Sequence, residues 1–161
     1  MPRKTDIKTL ELITRSPGET HKLGERLGSL ASAGDVFLLS GSLGAGKTCL
    51  TQGIARGLGV TGPTPSPTFV LIRQSAGRLP LYHIDLYRLD DPNEIAGLGL
   101  EEYLYGGGVC VIEWAEKAPR LLPPDHLWIE IEYAGERERR FTLRPSGARY
   151  RELTAGIKKK S

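Results

Sequence analysis

"DVFLLSGSLGAGKTCLTQGIARGLG" spans residues 35–59, and its middle decides the fold. Gly41, Gly46, Lys47 and Thr48 occupy the fixed places of G-x-x-x-x-G-K-[ST], the phosphate-binding loop pattern. The loop reads Gly41, Ser42, Leu43, Gly44, Ala45, Gly46, Lys47, Thr48. Its glycines let the backbone turn sharply and aim successive N–H groups inward at phosphate oxygens. Lys47 brings positive charge to the outer phosphates, and the Thr48 hydroxyl is placed to ligate Mg²⁺. The pattern carries weight only between a strand and a helix. Residues 35–40 are a short apolar run rich in strand formers. Behind the loop, Leu50, Ile54 and Leu58 recur at helical spacing, and Gly59 supplies a stop. The helix then begins at the phosphates, where its dipole favours anions. The chain is read as a binder of a nucleoside triphosphate.

Length and composition set the frame around this loop. The 161 residues suffice for one well-buried core and are short for two, so a single domain over 1–161 is expected. Hydrophobic residues make up 39% and charged ones 25%, the balance of a globular chain. No apolar run approaches the length of a membrane span, and residues 1–12 lack the continuous apolar core of a secretion signal. A cytoplasmic protein without membrane contact is expected. Two cysteines, Cys49 and Cys110, make neither a disulfide framework nor a metal cluster and are read as small buried hydrophobes. Net charge is +3, with arginines gathered late, but Glu130, Glu132, Glu136, Glu138 and Glu152 are interleaved with them. Charge alone therefore favours a solvated face and a flexible basic tail at 157–161 over an RNA-binding patch.

Along the chain, residues 9–14 read as a strand. Ser16, Pro17 and Glu19 form a capping box opening a helix with the stripe Leu23, Leu27, Leu30 and Ala31. Residues 61–68, with three prolines among small residues, form a loop. Strands are expected at 69–74 and 79–89 around a tight turn, a helix over 91–104 with Asp91 as N-cap, and a buried strand within 106–114. A hairpin at 126–145 and a last helix at 147–157 complete the order. This predicts one α/β domain with a mixed, mainly parallel central sheet and helices on both faces.

The rest of the motif set narrows the class. Asn93 is the one asparagine, so no N-K-x-D guanine loop is possible, and no D-x-x-G follows the hairpin. A metal-side carboxylate should end a buried strand, and "VCVIEW" offers Glu113. In "YHIDLYRL", alternation puts His83, Asp85 and Tyr87 on one face. Asp85 is placed to orient water, act as base or hold the Mg²⁺ shell, while His83 reads as structural. Thr68 in "SPTF" lies where switch loops lie, to reach the γ-phosphate or its Mg²⁺, or simply to cap a strand. Arg88 is the nearest arginine-finger candidate, with a surface role equally open. A small-molecule kinase and a nucleotide sensor that does not hydrolyse remain alternatives.

"GSLGAGKT", "SPTF", "YHIDLYRL", "VIEWAEK" and "ERRFTL" stand in the order, and near the spacing, of the bacterial tRNA threonylcarbamoyladenosine biosynthesis ATPases, the TsaE family, which the chain resembles over roughly residues 10 to 145. The resemblance implies slow ATP hydrolysis with Mg²⁺, in support of the TsaB–TsaD pair that modifies adenosine beside the tRNA anticodon. It implies that residues 41–48 hold the phosphates and that Thr48 and Glu113 hold Mg²⁺. Asp85 and Glu113 would be the acidic pair for hydrolysis, Trp114 the tryptophan beside the site, and Thr20 a residue near the adenine. Contact with tRNA would be indirect or weak. Ser42 stands where many relatives carry Asp, and Cys49 where they carry Thr.

Overall fold

The structure is a computed structural model describing residues 9–42, 44–61 and 72–159. Its seven strands are β1 (Leu10–Thr14), β2 (Val36–Gly41), β3 (Ile72–Ser75), β4 (Leu81–Asp85), β5 (Val109–Glu113), β6 (His126–Tyr133) and β7 (Arg139–Ser146). They form one sheet in the order β1-β7-β6-β2-β5-β4-β3. The central four, β4, β5, β2 and β6, are mutually parallel. The pairs β1–β7, β6–β7 and β3–β4 are antiparallel. The expected mixed α/β sheet is present.

Among the described residues five α-helices cover it: α1 (Pro17–Leu30), α2 (Lys47–Gly57), α3 (Pro92–Ala96), α4 (Glu101–Leu104) and α5 (Ala148–Lys159). Alternation along β2 divides the core. Phe37 and Leu39 join the cluster under α1, α2 and α5, whereas Val36 and Leu38 join the one under α3, α4 and a 3-10 turn at Ala115–Lys117. Strands covered on both faces read as unbroken apolar runs, which is why β2 and β5 were visible in the sequence.

The start of α1 follows its sequence signal with one displacement. The Ser16 hydroxyl accepts the Glu19 N–H at 3.2 Å. The Glu19 carboxylate accepts from the N–H of Arg15, at 2.7 Å, one residue ahead of the N-cap. The leucine stripe faces the core, but the contact with α2 is made by glycines. A Cβ on Gly24 would lie 2.4 Å from the Leu50 carbonyl oxygen, and one on Gly28 2.2 Å from that of Ile54. Reciprocally, a Cβ on Gly53 or Gly57 would lie 2.2 Å from the carbonyl oxygens of His21 or Glu25. Two G-x-x-x-G faces thus bring α1 and α2 together backbone to backbone.

Four expectations are corrected. The 91–104 helix is two short ones, α3 and α4, because Gly97 caps the first and Gly99 takes a φ of 69°. Strand β4 ends at Asp85, whose Oδ1 accepts the Tyr87 N–H at 2.9 Å and turns the chain. Tyr87 is consequently exposed rather than on the strand face. The basic tail is helical through Lys159, and Ile157 is fully buried. Cys110 is buried as expected, but Cys49 is only half-buried, its Sγ donating to the Pro17 carbonyl at 3.3 Å.

Burial pushes the Cys110 thiol up to about 12 and raises that of Cys49 as well. Because the thiolate is the reactive form, Cys110 is expected to resist a thiol reagent at pH 8 in the native protein. Both thiols should react after unfolding in guanidinium. Rapid native-state labelling of Cys110 would contradict its place in the core.

Candidate functional site

At the carboxyl end of the parallel strands, β2 runs into the loop and the loop into α2. Gly41, Gly44 and Gly46 adopt φ values of 146°, 79° and 119°, a region that side chains disfavour. Gly41 is doubly constrained, since a Cβ there would meet the Ile131 carbonyl oxygen at 2.4 Å. Successive amides bent this way form a concavity that favours anions, and the start of α2 adds its dipole. Leu43 and Thr68 lie outside the described residues, as do 62–67.

Lys47 is buried at the first turn of α2. Its Nζ donates to the Gly41 and Ser42 carbonyls at 2.6 and 2.9 Å, and lies 4.1 Å from the centre of the Trp114 ring. Burial lowers its pKa; the charges of Glu113, Glu116 and Asp85 act in the opposite direction. A desolvated ammonium ringed by carboxylates and resting on carbonyl oxygens is poised for a stronger anionic partner.

The two sequence-predicted carboxylates are brought side by side by strand register. Glu113 pairs with Leu39 of β2 on one side and Asp85 of β4 on the other. Glu113 is only 3% exposed and is hydrogen-bonded to His83 Nε2 through its Oε2. Asp85 is less enclosed; burial raises its pKa, opposed by the hydrogen bond from the Tyr87 amide, with the charge of Glu113 adding to the rise. Trp114 follows at once with φ 61°, the one non-glycine at positive φ among the described residues. That turn lays its ring against Lys47 and 5.0 Å from the Tyr87 ring. Lys117 closes the stack, donating to the Tyr87 carbonyl at 2.6 Å with its Nζ 5.6 Å from the Tyr87 ring centre.

Thr48 is partly exposed beside Lys47. Thr20 is buried, its hydroxyl 2.6 Å from that of Thr14, so this contact ties α1 to the end of β1. Arg88 is exposed in the turn after β4. Arg139 touches the loop, its Nε donating to the Ala45 carbonyl at 3.0 Å. Its guanidinium stacks 4.3 Å from the Tyr133 ring centre, and a Cβ on Gly44 would meet the Tyr133 hydroxyl at 2.9 Å. The β6–β7 hairpin therefore clasps the loop, beside a cavity of about 460 Å³ lined by Gly41, Ser42, Glu130, Ile131, Glu132 and Tyr133. His83 is the buried, hydrogen-bonded histidine that its structural reading expects, while Tyr133 and Arg139 were not singled out as site residues. Neither of those two carried a sequence signal, since their contact with the loop depends on the β6–β7 hairpin folding against it.

A glycine loop between a central parallel strand and a helix, with its lysine facing carboxylates on the neighbouring strands, defines the P-loop NTPase fold. The solved structure of Bacillus subtilis YdiB matches this chain with a TM-score of 0.84 and 40% identity, covering 96% of this chain and 97% of that one. The family model for threonylcarbamoyl adenosine biosynthesis protein TsaE matches residues 14–141. A tRNA threonylcarbamoyladenosine biosynthesis protein TsaE of Bacillus subtilis is 45% identical over 148 residues, 91% of this chain and 92% of its own. One from Treponema pallidum is 40% identical over 134 residues, 83% of this chain and 99% of its own. The chain belongs to the TsaE family.

Proposed function

We propose that the protein is a Mg²⁺-dependent ATPase of low intrinsic turnover, serving threonylcarbamoyladenosine formation in tRNA together with TsaB and TsaD. The observation that carries the catalytic part is the constellation of Lys47 in the loop with Asp85 and Glu113 in register on adjacent strands. The tRNA part rests on the relatives, which match along most of the chain.

The residues fit a magnesium nucleotide. Loop amides and Lys47 are donors for phosphate oxygens, while the Thr48 hydroxyl and the Glu113 carboxylate are hard oxygen ligands of the kind Mg²⁺ takes. When bound, Mg²⁺ neutralises charge on the transferring phosphoryl group. Lys47 contributes a second positive charge, preorganised because its stem is buried. Asp85, with one oxygen engaged by the Tyr87 amide, has its other oxygen available to orient water or accept its proton. Trp114 shields Lys47 from solvent on one side.

Phosphate release from ATP tests the reading, measured alone and with purified TsaB–TsaD, with GTP as control. Slow, ATP-selective release that rises with the pair is expected. Brisk release without partners, or none with them, would overturn it.

A further inference from the structure

The proposed ATPase leaves one buried group of the site unused: His83. It lies on β4 two residues before Asp85 and is 6% exposed. Its Nε2 is hydrogen-bonded to Oε2 of Glu113 across the β4–β5 ladder. We propose that His83 is a positioning residue that holds the Glu113 carboxylate in place for the metal ion of the nucleotide complex. The inference rests on the ATPase reading above.

Three observations carry it. A carboxylate as buried as Glu113 needs donors, and His83 supplies one to a single oxygen. Lys47 carries the opposite charge, and Glu113 leads the charges that act on it. Coulomb attraction favours a direct pair between Glu113 and Lys47. Instead Lys47 donates to the carbonyls of Gly41 and Ser42 while His83 retains Glu113, so cation and carboxylate stay apart. The other histidines show that this arrangement is not generic. His126 Nδ1 bonds the Pro123 carbonyl, and His21 meets Glu25 one turn along α1, away from the strand ends. Only His83 engages a carboxylate at the end of the parallel strands. Partners that fix a metal-binding group from behind typically change metal affinity ten- to a hundredfold when removed.

The probe is mant-ATP, titrated onto wild-type protein, His83→Ala and His83→Gln, each in EDTA and over a Mg²⁺ series. His83→Ala is expected to raise the Mg²⁺ concentration at half-effect about tenfold. Its affinity in EDTA should stay near wild type, because the loop amides and Lys47 are untouched. His83→Gln, whose terminal amide can replace the Nε2 donor, should recover most of the shift; it also carries the test if the alanine variant fails to fold. An unchanged Mg²⁺ midpoint, equal losses in EDTA and in Mg²⁺, or a glutamine variant no better than alanine would overturn the assignment. A wild-type protein that does not bind mant-ATP at all would instead overturn the nucleotide reading, and this inference with it.

Discussion

Replacing Glu113 with Ala is expected to lower Mg²⁺-dependent phosphate release at least about a hundredfold while leaving nucleotide binding in EDTA largely intact. The separation follows from where the groups sit. In the proposed reading, phosphate contacts come from the loop amides and Lys47, supplied by β2 and α2, whereas Glu113 ends β5. Its removal deletes the carboxylate in register with Asp85 and leaves the cradle standing. It also leaves His83 buried without its partner, at a cost of about 1–3 kcal/mol in stability. Glu113→Gln is the companion variant, keeping shape and a hydrogen-bonding oxygen while losing the charge. Both should be scored by phosphate release, with mant-ATP binding and a thermal midpoint as controls. Full activity in either variant would remove Glu113 from the mechanism.

The second large effect is on stability. Gly24→Ala is expected to destabilise the fold by about 2–3 kcal/mol, since the new methyl would lie 2.4 Å from the Leu50 carbonyl oxygen and 2.8 Å from the Gly53 Cα. Both are backbone atoms, so no side chain can swing aside; α1 and α2 must separate. For a chain of this size the thermal midpoint should fall roughly 5–10 °C. Gly18→Ala on the same helix is the control. Its Cβ meets only the Ser16 hydroxyl at 3.7 Å, and the better helix propensity of Ala should hold or slightly raise the midpoint. Because α2 begins at the loop, Gly24→Ala should also weaken mant-ATP binding, whereas Gly18→Ala should not. Equal midpoints for the two variants would refute the close approach.

These two positions show where sequence and structure part company. Glu113 was legible because a carboxylate at the end of "VCVI" breaks an apolar run that had to be a buried strand. Lys47 and its glycines were legible because the loop demands those residue types at fixed spacing. The amphipathic stripe of α1 was visible too, but the glycines between its leucines looked like poor helix formers rather than a contact face. Their meaning depends on a partner helix that periodicity cannot supply.

The sequence by itself determined the local chemistry: strand, loop and helix around residues 41–48, both carboxylates, the start of α1 and the final hairpin. Each is encoded by residues close together in the chain, through burial period, capping or glycine backbone freedom. Only the tertiary structure decided which distant groups meet. It set Glu113 beside Asp85 by strand register, His83 behind Glu113, Trp114 over Lys47, and Arg139 on the Ala45 carbonyl. It also cut β4 at Asp85 and split the 91–104 helix, where an Asx turn and positive-φ Gly99 outweighed continuing apolar spacing. The physical reason is one of range. Propensities and periods act over a few residues, whereas pairing across a sheet and packing between helices join residues tens of positions apart, at angles no linear pattern records.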